Sequence, residues 1–522
     1  MRSRARDRPM LREACDHPGM SHCACLVASL LVTGLALPAP SRAFDLVIRG
    51  GRVMDPESGL DAVREVGIRD GRIAALSEEP LEGEAVLRAD GLVVAPGFID
   101  LHQHGQNATS HALHVRDGVT TALDLEVGAW PVAPFYEARE GRSLVNFGVA
   151  VGHIPARVKL KDGFSVGHVP TAGERGGIRG WLLRWVQRFW RPTAYAEEPT
   201  SDAEREELVA LLAEGLDAGA LGIGMGLGYT PAADAEEVRA VFGLAAARGV
   251  PVLVHIRSAE AKEDTTPIDT ILTHAEATGA ALHVFHLGSS GGPQAAGYLR
   301  RIRAARARGV DVTTEVYPYT ASSTYIESAL FDEGWREMRD VDYGNLQWAE
   351  TGERLTAESF ARYRKQGGMV ILHWMKPEWV DPLVASPDVI IASDGMPFVE
   401  DKVHPRGAGT FARVLGRSVR EQGALTLMEA LAKMTLLPAR RLEAMAPAFR
   451  DKGRVRVGAD ADLTLFDPAR VVDRASFEDP WQPSAGIPHV LVGGVFVVRD
   501  GENVSGAAPG RPMRAAPPAG AP

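Results

Sequence analysis

Cysteine is almost missing from this chain: its three thiols, Cys15, Cys23 and Cys25, all lie at the N-terminal end. Everything after them is therefore without disulfides, thiolate metal ligands or a cysteine nucleophile. Sustained positive charge is also missing. The formal net charge is -10, and no Lys/Arg run interrupts the folded body, which argues against a nucleic-acid partner, because phosphate binding needs a basic face. Long apolar runs are scarce too. One stretch, Cys25 to Leu37, has the length of a signal-peptide core and is short for a bilayer span. A polar, Arg-rich segment from Met1 to Gly19 precedes it, and Ser41-Arg42-Ala43 follows with small residues at cleavage spacing. We therefore expect residues 1–43 to be a leader cleaved near Ala43, and the mature protein to be periplasmic or secreted.

What remains has 45% hydrophobic and 24% charged side chains, a globular balance sufficient for one large domain and a smaller one. From Phe44 the texture is of short strands broken by Asp-Gly and Gly-Gly turns, as in Leu46-Val-Ile-Arg-Gly-Gly-Arg-Val-Met, which indicates antiparallel hairpins. Similar texture returns near the C-terminus, in Gly458-Ala-Asp-Ala-Asp-Leu and His489-Val-Leu-Val-Gly-Gly. Neither end has enough strands to bury a core alone, so residues 44–96 and 453–505 are expected to complete one small β-sandwich. Between them, β-runs such as Val252-Leu-Val-His, Ala281-Leu-His-Val-Phe-His, Asp311-Val-Thr-Thr-Glu-Val, Met369-Val-Ile-Leu-His and Val389-Ile-Ile-Ala-Ser-Asp alternate with helical stretches, among them Ala203 to Ala218 and Ala235 to Arg248. This α/β pattern predicts a (β/α)8 TIM barrel over residues 97–452, with an insertion at about 157–200, and a flexible tail at 506–522. Within the insertion, Ile178, Trp181, Leu182, Trp185, Val186 and Phe189 form one apolar helical face opposed by arginines. The expected role is a helix packed on the barrel; contact with a membrane surface or a partner is the alternative.

Chemistry concentrates at strand ends. In Pro96-Gly-Phe-Ile-Asp-Leu-His-Gln-His-Gly, His102 and His104 are two apart on an apolar strand, so both imidazoles face one side and reach one metal. His255, His286, His373 and Asp394 sit at the ends of later β-runs, where a barrel places its active-site rim. Imidazole and carboxylate ligands without thiolate suit one or two Zn²⁺ ions, and also Mn, Fe or Co.

These features, with Asp117-Gly-Val-Thr-Thr, His255-Ile-Arg-Ser, Val316-Tyr-Pro-Tyr-Thr-Ala, Ser393-Asp-Gly and His404-Pro-Arg-Gly-Ala-Gly-Thr-Phe, resemble the amidohydrolase superfamily and, within it, the N-acyl-D-amino-acid deacylase (D-aminoacylase) group. The resemblance implies metal-dependent hydrolysis of a linear amide C–N bond, with an N-acyl-D-amino acid as the small-molecule substrate. It makes His102 and His104 ligands of one cation and His255 and His286 ligands of a second, and it gives Asp394 a metal contact and the catalytic proton. Cyclic-amide hydrolysis of the hydantoinase or dihydroorotase kind, dipeptide hydrolysis and a metal-free scaffold are the alternatives.

Two departures matter. The group places a bridging cysteine after the Gly-Val-Thr-Thr strand, and this sequence has Ala122-Leu-Asp-Leu-Glu-Val there. Glu126 is the expected bridge, with Asp124 in reserve and a carboxylated Lys159 or Lys161 poorly placed. After His286 the group often carries lysine, where this chain has Gly288-Ser-Ser-Gly-Gly. Arg257, Tyr317, Tyr319 and Arg406 remain as candidates to hold a substrate carboxylate, because guanidinium forks and phenol hydroxyls suit a planar anion.

Overall fold

The computed structural model describes residues 43–165, 193–259, 264–399 and 402–516. Of the leader expected at 1–43 all but Ala43, the apolar helix expected at 178–191 and the last six residues of the tail lie outside them. The N-terminal strands are β1 (Phe44–Asp55), β2 (Leu60–Arg69), β3 (Arg72–Ser77), β4 (Gly83–Arg88) and β5 (Val93–Pro96). Next come β6 (Phe98–Asp100), β7 (Val119–Ala129), β8 (Asn146–Gly152), β9 (Ile223–Gly226), β10 (Val252–His255), β11 (Leu282–Val284) and β12 (Val312–Val316), then β13 (Ala321–Tyr325), β14 (Leu346–Trp348), β15 (Met369–His373) and β16 (Ile390–Ile391). The C-terminal return supplies β17 (Leu463–Phe466), β18 (His489–Val492), β19 (Val495–Arg499) and β20 (Glu502–Asn503).

Both ends of the chain share one nine-stranded sheet, joined where β17 pairs antiparallel with β5. Its inward residues, including Ile48, Val66, Ile73, Val94, Leu463 and Leu491, form a core separate from that of the barrel. Asp55 helps to lock the ends together. One carboxylate oxygen accepts from Ser58 N at 2.9 Å in the first turn, and the other accepts from Val455 N at 3.0 Å.

The eight-stranded sheet runs β16-β12-β11-β10-β9-β8-β7-β6, with every pairing parallel. The barrel closes by a narrow seam, in which Gln103 bridges Gly395 in parallel and His104 N donates to Gly395 O at 2.9 Å. A side chain at 395 would block that seam, because a Cβ there would lie 2.4 Å from Gln103 Nε2. The helices Asp202–Asp217 and Ala235–Arg248 lie where helical spacing predicts them. Ser201 and Glu204 form a capping box on the first, and Asp234 caps the second, which stops at Gly249 with φ +63°. Leu208, Leu212 and Leu216, four residues apart, are buried on the barrel. Each such leucine contributes about 2 kcal/mol of apolar burial.

Two expectations need correction. The run Met369-Val-Ile-Leu-His is not a barrel strand: β15 is the centre of a three-stranded antiparallel sheet with β13 and β14. That sheet is an insertion with its own aromatic core of Phe331, Trp335, Trp348 and Tyr363. The expected flexible tail is docked as far as residue 516. Met513 is buried and donates to Phe147 O at 2.7 Å, while Arg511 N donates to Asn146 Oδ1 at 3.1 Å.

Candidate metal centre

β6 ends at Asp100, and the buried Asp100 carboxylate fixes the turn that follows. It accepts from His102 N at 3.2 Å, from Ser393 N at 3.0 Å and from Ser393 Oγ at 2.5 Å, so the first and last barrel strands share one clamp. Burial pushes its carboxyl up to about 6 despite those bonds. Beyond the clamp, His102 and His104 turn to the same side with their Nε2 atoms 3.1 Å apart. His102 is fully buried, and its Nδ1–H donates to Glu315 Oε1 at 2.7 Å, which leaves Nε2 as the nitrogen that faces the site.

Glu126, on β7, stands between two histidine pairs. Its Oε2 lies 3.3 Å from His102 Nε2 and 3.2 Å from His104 Nε2. Its Oε1 lies 2.7 Å from His255 Nδ1 and 2.9 Å from His286 Nε2, and those two nitrogens are 3.0 Å apart. Asp124, two residues away on the same face of β7, approaches the other side of His104, at 3.3 Å from Nδ1. The same-face reading of β7 therefore brings both carboxylates to the site, one between the histidine pairs and one behind His104. Lys161 is elsewhere, bonded to Pro199 O and Glu204 at 2.8 Å, and Lys159 sits in the last turn of the same helix, His153–Asp162.

Asp394 approaches from β16 with a φ of +51°, and His286 follows β11 with a φ of +31°. Residues other than glycine rarely hold such values, and they cluster where function over-determines the backbone. Asp394 Oδ1 is 3.4 Å from His102 Nε2, 3.6 Å from His104 Nε2 and 2.8 Å from Arg406 Nη2. Burial opposes its ionisation, but Arg406 and His102 outweigh burial and hold the carboxyl below the usual range. For His102 the field works in the opposite sense. Burial disfavours the imidazolium, yet Asp394, Glu126 and Glu315 raise it to about 10, so without a cation Nε2 holds a proton that a bound metal would displace.

These residues fit a cation. Three triads, His102-His104-Glu126, His102-His286-Asp394 and Glu126-His255-His286, each hold their ligand atoms within 4.8 Å of one another. Four ring nitrogens and two carboxylates converge here, and nitrogen with carboxylate oxygen suits zinc or a neighbouring divalent metal.

Of the carboxylate-binding candidates, Arg406 and Tyr317 are at the site. Arg406 is fully buried, its guanidinium 4.7 Å from the Tyr317 ring centre, and its Nε and Nη1 have no hydrogen-bond partner, nor has the Tyr317 hydroxyl. Tyr319 is further out, against Arg413 and His404, also with an unpartnered hydroxyl. Arg257 is not turned to the site: it donates to the carbonyls of Pro231 and Ala233. His373, which ends a β-run like the ligand candidates, is away from the site: it bonds Gln347 Oε1 at 2.9 Å on the inserted sheet. Sequence reasoning missed Glu315 and His283, which bond each other at 3.3 Å and orient His102 from behind. The signal available was a glutamate inside the buried run Val312-Thr-Thr-Glu-Val, where a charge needs a partner.

Comparison with known proteins agrees with this geometry. A model of an amidohydrolase family matches residues 85–498. An N-acyl-D-glutamate deacylase of Alcaligenes xylosoxydans xylosoxydans is 33% identical over 503 residues, covering 87% of this chain and 93% of the relative. A D-aminoacylase of the same organism is 30% identical, covering 88% and 95%. Among solved structures, an N-acyl-D-glutamate deacylase from Bordetella bronchiseptica, complexed with zinc and a phosphonate mimic of the tetrahedral intermediate, superposes with a TM-score of 0.74 at 27% identity, covering 91% of this chain and all of that one.

Proposed function

The chain belongs to the amidohydrolase family and is a metal-dependent hydrolase of amide C–N bonds; from that premise we propose that its substrates are N-acyl-D-amino acids. The observation that carries this reading is Arg406, a buried guanidinium with one arm on Asp394 and two donor nitrogens unspent beside the free Tyr317 hydroxyl. Buried donors without acceptors are costly, and a substrate α-carboxylate satisfies them in the bidentate way that guanidinium favours. The names of the relatives, N-acyl-D-glutamate deacylase and D-aminoacylase, support the same class.

In this reading His102, His104 and Asp394 would hold one cation and His255 and His286 another, with Glu126 standing between the two pairs. A divalent cation there supplies an electrophile for the scissile carbonyl and makes water acidic enough to attack at neutral pH. Glu315 keeps the His102 proton on Nδ1, so that Nε2 is the nitrogen that faces the site. Asp394, held ionised, takes the proton of the attacking water and delivers it to the departing amine nitrogen. Arg406 and Tyr317 grip the α-carboxylate and set the amide against Asp394. The products are a carboxylic acid and a free D-amino acid.

The test is amine release from N-acetyl-D- and N-acetyl-L-amino acids by metal-loaded protein, with hydantoin and dihydroorotate as ring-opening controls. Release from the L series alone, or ring opening alone, sinks the reading. Export is a separate part of the proposal, supported by the signal-like sequence of residues 1–43, with its apolar run Cys25 to Leu37 and small residues near Ala43. N-terminal sequencing of the protein recovered from its cells checks it, with a start near Phe44 expected and an intact N-terminus overturning it.

A further inference from the structure

Each of the two imidazoles beyond β6 has a carboxylate behind it. His102 has Glu315, whose bond to Nδ1 turns Nε2 to the site. His104 has Asp124: Oδ1 lies 3.3 Å from Nδ1, while Nε2 faces Glu126 and Asp394 at 3.2 and 3.6 Å. Asp124 and His104 face as charges rather than in an aligned hydrogen bond, and that ring nitrogen has no other partner. Asp124 is buried, and among the described residues no lysine or arginine pairs with it. A buried carboxylate left without a cation is costly, so the His104 ring and the cation it would ligate are what offset Asp124.

A second contact ties the same carboxylate to the backbone that carries Glu126. β7 and β8 pair in register as far as Asp124 with Val149 and meet again only at Ala129 with Val151, so β7 bulges between Asp124 and Ala129. Bulges change where a strand directs its side chains, and Glu126, the carboxylate between the histidine pairs, lies inside this one. The bulge closes at Gly128, whose φ is +66° and where a Cβ would lie 2.5 Å from Ala150 O. Gly128 N donates to Asp124 Oδ1 at 3.3 Å, the same oxygen that faces His104. One carboxylate oxygen thus meets both the back of His104 and the closure of the bulge.

We infer that Asp124 is a positioning residue of the metal centre: it orients His104 from behind and holds the bulge that presents Glu126, and so sets the affinity for the cation that those two would share. Asp124 belongs to none of the three ligand triads, so its part is distinct from that of a bridging ligand. Carboxylates behind ligating imidazoles typically supply about 10- to 100-fold in metal affinity, because they fix the ring and make its far nitrogen a better donor. The inference rests on the metal reading above and is independent of the substrate class.

The deciding measurement is zinc binding to metal-stripped protein, followed by competition with a chelating dye, in the native chain, Asp124→Asn and Asp124→Ala. Asp124→Asn keeps an oxygen for Gly128 N and removes only the charge behind His104. It should weaken a zinc-binding step about 10- to 100-fold, with the melting temperature of the metal-stripped protein retained. Asp124→Ala removes both contacts and should weaken zinc further, because Glu126 is no longer held. Zinc affinity unmoved in Asp124→Asn overturns the orienting role, and so does a loss that runs in step with lower metal-free stability, which is what a merely structural carboxylate gives. Asp124→Ala binding zinc as well as Asp124→Asn overturns the hold on Glu126. Should Asp124→Ala not fold, hydrogen exchange at Gly128 in the native protein decides that hold, with an unprotected amide overturning it. Rejection of N-acyl-D-amino acids as substrates leaves these affinities as they stand, so the two failures are told apart.

Discussion

Two buried clusters in this protein join histidine to a carboxylate, and they differ in whether their atoms are satisfied. Around Glu237, His153 Nε2–H donates to Oε1 at 2.7 Å, while Arg157 Nη1 and Thr200 Oγ1 donate to Oε2. The rest of the Arg157 fork reaches Tyr195 O and Glu198 O, each at 2.6 Å. Every donor there has an acceptor, and only the lone-pair side of His153, at Nδ1, is left over. Around Glu126, by contrast, ring nitrogens face ring nitrogens at 3.1 and 3.0 Å, and the neighbouring Arg406 and Tyr317 keep donors unspent. Burial of charge is common to both. Unspent guanidinium and phenol donors belong only to the second, and they identify the cluster that awaits something from outside.

Substitutions in the two clusters should separate activity from stability. Asp394→Asn should lower kcat by about 10³-fold, within the span of general acid–base catalysis, while bound metal persists; steady-state rates beside elemental analysis measure both, and undiminished turnover rejects the proton role. Glu237→Ala strands the Arg157 charge and should lower unfolding free energy by about 3–5 kcal/mol, read from the denaturant midpoint, with kcat of the folded fraction retained. If Glu237→Ala instead abolished kcat at full stability, the contrast between the clusters would be wrong.

Acid should find the Glu237 cluster as well. Burial opposes the Glu237 charge, but His153 and Arg157 hold its carboxyl at about 2, below its ordinary 4.5. A depressed carboxyl stabilises the fold fully above about pH 4.5 and progressively less as pH falls toward 2. The acid unfolding curve of Glu237→Gln should be correspondingly shallower over that window, and an identical slope would count against the clamp. The smallest effect is expected for Tyr317→Phe. Its hydroxyl is unpartnered, so stability should stay within about 0.5 kcal/mol while KM rises roughly tenfold, as loss of one hydrogen bond to a charged group implies.

Much of the centre was legible because barrel chemistry sits at strand ends, where local pattern is strong. Glu126 shares a face with Asp124 through the two-residue period of β7, and His102-x-His104 reads as the same pattern although β6 ends at Asp100 and the pair sits just beyond it. Sequence could not distinguish β15 from a barrel strand, since a short apolar run reads alike whether its neighbours are parallel or antiparallel. Glu315 and His283 escaped because their partners are distant in sequence: Glu315 bonds His102 across 213 positions. The docked tail escaped for a related reason. Its Ala, Pro and Gly composition resembles a linker, and its hold on Asn146 and Phe147 is made largely by backbone groups.

The seam at Gln103 and Gly395 has a consequence for biosynthesis. Ser393 must reach Asp100, 293 positions earlier, before the clamp behind the turn bearing His102 is complete. A ribosome that has released every other ligand candidate still carries a chain without its last strand, and such a chain leaves the first strand unclamped. Hydrolytic competence thus arrives late and all at once, and a polypeptide cut short ahead of Ser393 is inert instead of half-active.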